Sequence, residues 1–131
     1  MTKNETKDNT FGEVISQYTR AQAIEDGFLI DVSERAREAG ITFPTAVTAA
    51  VWEQCVTVPE EASCQDEIGR LWDILTVLRF TIIRSKGGQE VAFTVAVQND
   101  SGKPESVRLK ALCGPGDSGE PVITIMLPHE D

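Results

Sequence analysis

The sequence predicts an α+β domain in which N-terminal helices, one of them long and amphipathic, pack on one face of a C-terminal three-stranded antiparallel meander. Three observations predict it. Ile68, Leu71, Leu75, Leu78 and Ile82 recur at alternating steps of three and four, the spacing of one helical face. After Gly88 the period switches to two, so that Val91, Phe93, Val95 and Val97 share one side of a strand. Two more strand patterns follow across turns rich in Gly, Pro and Asp: Ser106 to Cys113, with Val107, Leu109, Ala111 and Cys113 on one side, and the apolar run Val122 to Leu127.

In chain order, residues 1–17 are polar and of mixed charge, the composition of a flexible tail, with Phe11, Val14 and Ile15 as its few apolar contacts. The folded domain then spans 18–131. Thr19 with Gln22 three residues on forms a capping box, and the short helix it opens stops at Gly27. Phe28 to Val32 reads as a link rather than a strand. A helix over Glu34 to Ala39 ends at Gly40. Pro44 suits the first turn of a third helix, which runs through Trp52 to about Cys55 with Val47, Val51 and Cys55 on one face. The long helix is expected from Asp66 to about Arg84, although Phe80 to Ile83 also suit a strand before the Lys86-Gly87-Gly88 turn. The turn at Asn99 to Pro104 joins the first two strands of the meander, and Gly114 to Pro121 joins the last two.

With 131 residues, 40% of them hydrophobic and 25% charged, the chain has the makings of one domain, whose core needs no staple. Twelve Lys and Arg against twenty-one Asp and Glu leave a net charge of −9, which opposes direct binding to a phosphate backbone. Cys55, Cys64 and Cys113 match no zinc spacing, and His129 is the single histidine, so no metal or cofactor is expected. The polar start lacks a signal-peptide core, and no run approaches the ~20 apolar residues of a membrane span, which points to a cytoplasmic protein with no membrane contact.

Gly116-Asp117-Ser118-Gly119 is the tetrapeptide around the nucleophile of trypsin-like proteases, but a hydroxyl nucleophile needs an oriented base, and the stretch reads better as a β-turn. Cys113 and Cys55 fall on apolar faces and read as core, with Cys64 the exposed thiol. Trp52 and Trp72 are expected to be buried between facing helices. No catalytic residue is assigned. Glu60, Glu61, Asp66 and Glu67 gather at the start of the long helix, where the helix dipole favours negative charge. They are the candidate protein-binding residues, and with Glu25, Asp26, Asp31, Glu34, Glu38 and Asp73 they could form an acidic face.

Several segments together carry a resemblance: Tyr18 to Gly27, Leu29 to Ser33, Ala46 to Thr48 with Val51-Trp52, Gly69 to Asp73, Leu109 to Asp117 and Gly119 to Pro128. They are similar to an uncharacterised domain family carried by bacterial plasmids, integrative elements and phage-derived islands. The resemblance implies a mobile-element setting and supplies no catalytic residues. The leading expectation is therefore a non-enzymatic acidic accessory factor that binds a host or defence protein through that protein's basic surface. A second is a small ribonuclease-like or toxin-like enzyme using Arg108 and Lys110 on the sheet, weakened by the absence of a sheet histidine. The third is a homodimer held by the long helix or by the last strand.

Overall fold

The computed structural model describes residues 18–59, 66–85, 87–99 and 103–130. The fold is α+β, but the sheet is not a three-stranded meander. It has five strands in the order β1-β2-β5-β4-β3, formed by β1 (Leu29–Asp31), β2 (Thr45–Thr48), β3 (Glu90–Val97), β4 (Glu105–Pro115) and β5 (Pro121–Met126). The three strands expected near the C-terminal end, β3, β4 and β5, pair antiparallel with Phe93 opposite Leu109 and Ala111 opposite Ile125, but as one part of this mixed sheet. β2 adds to it in parallel, Thr45 opposite Ile123 and Val47 opposite Ile125, and β1 closes the other edge antiparallel to β2.

The two added strands correct two expectations. Phe28 to Val32 holds a strand, and the helix expected from Pro44 starts only after one. Thr45, Ala46 and Val47 are all buried, as befits a strand covered on both faces, and such a strand has no alternation to betray it. Val47 lay in register with Val51 and Cys55 by coincidence: a strand residue and two helix residues face the same core. Helix α3 is only Ala49–Val51, capped by the Thr48 hydroxyl, and widens into a π-helical turn over Trp52–Val56, closed by Thr57 N–H donating to the Trp52 carbonyl.

α1 (Arg20–Glu25) carries the expected capping box: the Thr19 hydroxyl accepts from Gln22 N–H and the Gln22 side chain accepts from Thr19 N–H. α2 (Ser33–Glu38) ends at Gly40, whose φ of 97° only glycine adopts freely, and the Arg79 side chain lies where a Cβ on Gly40 would stand. α4 (Glu67–Arg84) is one uninterrupted helix, so the 80–83 stretch is helical; it sits in mid-chain rather than among the N-terminal helices. Its inner side, Leu71, Ile74, Leu75 and Leu78, packs on Val47, Ile125, Leu109, Phe93 and Val95.

Helices occupy both faces of the sheet, which is a further correction. α4, α2 and α3 cover the face of Val47, Ile123 and Ile125. α1 covers the other face over β5, where Arg20 donates from Nη1 to Thr124 Oγ1 (2.6 Å) and from Nη2 to the Ile123 carbonyl (2.9 Å). Asp117 holds that helix from a distance of nearly a hundred residues: its carboxylate accepts from the backbone N–H of Arg20 and of Ala21. These two bonds, with the nearby Arg20 charge, lower the Asp117 pKa. At the same end Tyr18 donates to Asp26 (2.6 Å), and that carboxylate raises the phenol to about 12.

Candidate functional site

Arg70 sets the local frame of the candidate site. It is a buried arginine on the inner side of α4. Its Nε donates to the Cys55 carbonyl (3.0 Å), Nη1 to the Thr57 carbonyl (3.1 Å) and Nη2 to Asn99 Oδ1 (2.6 Å). The start of α4 is thereby bolted to the π-helical turn and to the end of β3. Burial pushes the Cys55 thiol pKa up, which leaves that cysteine a core residue.

On the other side of α4's first turns lies a groove of about 350 Å³ between β1, α2, the π-helical turn and α4. Its apolar lining is Ile30, Val32, Leu71, Ile68 and Trp52. Glu34 and Glu67 line it from α2 and α4 and are exposed, and Arg35 on the same side is tied to Glu38 (3.1 Å). Asp31 also belongs to the lining, but its Oδ1 accepts from both the N–H and the hydroxyl of Ser33. Ser33 in turn accepts from Thr45 N–H, so β1, α2 and β2 are locked together beneath the groove. The result is an apolar, aromatic floor with a carboxylate on each bank.

The candidate carboxylates separate in space. Glu67 joins the groove together with Glu34 of the wider acidic set. Asp66 instead caps α4, accepting from Gly69 N–H. Asp73 lines a small cavity with Arg70, Val97 and Gln98 on the β3 side of the helix. Glu25 ends α1 and Asp26 follows it as the C-cap, across the sheet. Glu60, Glu61 and Cys64 lie outside the described residues, as does the tail of residues 1–17.

The tryptophans differ from expectation in different ways. Trp52 is half-buried, packed against the core with one side in the groove. Trp72 is exposed, because Leu71, Ile74 and Leu75 already fill the space beneath α4 and Trp72 stands on the outer side of the helix. Leu75 is fully buried as expected. Cys113 is half-buried and lines a second, larger cavity of about 430 Å³ at the far end of α4, with Ile41, Phe43, Ile82, Ile83 and Val91.

Gly116 to Gly119 is the expected turn, with Gly119 at φ 83° and the Ser118 N–H donating to Glu120 Oε1. Asp117 within it caps α1 rather than orienting a base. Arg108 and Lys110 sit on β4 on the face turned away from α4, and among the described residues neither side chain makes a hydrogen bond or ion pair. β5 lies between β2 and β4, so the last strand is an interior strand and offers no edge to a second chain. Among the described residues no His, Cys, Asp and Glu side chains gather as a metal site, and no helix is long and apolar enough to cross a membrane.

The sequence model of a family described as "Family of unknown function (DUF6573)" matches residues 8–131. No curated protein and no solved structure matches the chain.

Proposed function

We propose that this chain, a member of the DUF6573 family of unknown function, is a non-enzymatic protein-binding accessory factor whose groove between α2 and α4 takes a basic side chain of its partner. The observation that carries the reading is the pairing of an apolar, aromatic floor with Glu34 and Glu67 on opposite banks. A lysine or arginine has that same division: an aliphatic stem that covers apolar surface and a charged head that stays wet. Its stem would lie over Ile68 and Trp52, its head between the two carboxylates, and a guanidinium could also stack on the indole.

The net charge of −9 supports the same partner at longer range, since an acidic protein draws a basic surface toward it and repels acidic ones. A mobile genetic element as the setting, and a host or defence protein in the cytoplasm as the partner, belong to this proposal and rest on the resemblance of the segments named above.

Titration of ¹⁵N-labelled protein with N-acetyl-arginine amide tests the site. The reading expects shift changes gathered on residues 30–35, Trp52 and 67–71, lost in Glu34→Gln/Glu67→Gln. Both side chains are exposed, so the double variant should keep the wild-type fold. Changes spread evenly over the acidic surface, or unaltered in the variant, would refute the groove.

A further inference from the structure

The outer side of α4 has no covering element among the described residues, yet it is apolar. Arg70, Leu71, Ile74, Leu75 and Leu78 point inward. At 3.6 residues per turn, the line opposite them runs through Gly69, Thr76 and Ile83, with Trp72 and Phe80 beside it. Ile68 is 57% exposed, Trp72 44%, Phe80 56% and Ile83 61%. Exposed apolar residues scattered singly need no explanation, but a row of them along one helix marks a contact surface.

The charges on α4 say what fits there. Asp66, Glu67 and Asp73 stand at its start, and from Thr76 to Ser85 the only charged residues are Arg79 and Arg84. A second copy laid alongside in the same direction would set acid against acid and arginine against arginine. Reversed, it sets each acidic end against a basic one and opposes the two helix dipoles favourably. The row is also symmetric under reversal: Gly69, Trp72, Thr76, Phe80 and Ile83 are spaced by three, four, four and three, so the pattern reads the same about Thr76 from either end.

We infer that two copies of this chain associate as a two-fold dimer through the outer face of α4, with the two helices antiparallel and crossing at Thr76. A two-fold contact uses the same patch on both copies, and a self-complementary row is what such a contact requires. Ile68 of one copy meets Ile83 of the other, and Asp66 faces Arg84. Gly69 and Thr76 are the small residues on the contact line and let the helix axes approach to about 8–10 Å. The dimer goes beyond the proposed groove: it shares Ile68 and the acidic start of α4 with it, while Glu34 and Trp52 play no part.

Sedimentation equilibrium of the full chain over a concentration series tests the association. The dimer predicts a mass twice the 14.3 kDa of one chain at high concentration, and Trp72→Glu should halve it while the far-UV circular dichroism stays that of the wild type. Should Trp72→Glu lose its fold, Phe80→Glu on the same row decides instead. A wild type that stays at the single-chain mass throughout, or a folded variant that keeps the doubled mass, overturns the dimer. Orientation is read by cysteine cross-linking in a Cys64→Ser/Cys113→Ser background. Ile68→Cys mixed with Ile83→Cys should form a covalent dimer on oxidation, and Ile68→Cys alone should not. Efficient self-linking of Ile68→Cys would overturn the antiparallel arrangement.

Discussion

Replacing Arg70 by methionine keeps most of the aliphatic stem and removes the guanidinium that joins three parts of the fold. The three acceptors it leaves behind do not suffer equally. Thr57 and Asn99 are exposed residues whose oxygens can turn to water, so each forfeits only the net worth of a bond to a charged donor, offset by release of the buried charge. The Cys55 carbonyl is different: its bond to Nε is buried. An unsatisfied buried acceptor costs about 1–3 kcal/mol. With the residual loss at the other two, Arg70→Met should cost about 2–4 kcal/mol, a large share of the 5–15 kcal/mol typical of a domain. Urea unfolding followed by circular dichroism measures it, and hydrogen exchange should quicken first at residues 55–57 and 97–99. A loss under about 1 kcal/mol would show that this arginine does not bolt the elements together.

Leu75→Ala, at a fully buried position under α4, should cost about 2–5 kcal/mol in the same assay, and a change within error would mean that α4 is not packed on the sheet. Thr76 Oγ1 is buried without a hydrogen-bond partner, so Thr76→Val, which keeps the shape, should leave stability unchanged or raise it by up to about 1 kcal/mol; a clear loss would reveal a partner for the hydroxyl. Asp117 has its pKa lowered in the folded state by the Ala21 and Arg20 N–H groups. Its contribution is therefore present above the unfolded carboxylate pKa and lost as pH falls through the folded one. Asp117→Asn should flatten the acid limb of the stability profile below about pH 4, where unperturbed aspartates titrate, and two superimposable acid limbs would remove the cap from the account.

Local chemistry was legible in the sequence and long-range pairing was not. The capping box at Thr19 and Gln22, the glycine stop at Gly40 and the span of α4 follow from contacts within a few residues, and each stands as read. β1 and β2 have three and four residues, too few for a period, and β2 exists because β5, some eighty residues later, lies parallel beside it. Trp72 was misplaced because α4 is apolar on more than one side, and a periodicity does not say which side a sheet will claim. The same holds at the candidate site. Glu67 could be named from the helix start, but its neighbours Glu34 and Trp52 are brought to it by the packing of α2 and the π-helical turn. Asp117 shows the limit most plainly: its turn was legible, its service to α1 was not.

Selection of random peptides displayed on phage against the full chain, and in parallel against Glu34→Gln/Glu67→Gln, tests most directly the claim that the α2–α4 groove recognises a basic side chain. Wild type should enrich peptides carrying arginine or lysine, and the double variant should not. Raising the salt should weaken the binders chiefly through slower association, since steering by exposed charge is screened over about 8 Å at physiological ionic strength. Enrichment of peptides without a basic residue, or of the same peptides by both proteins, would contradict the account.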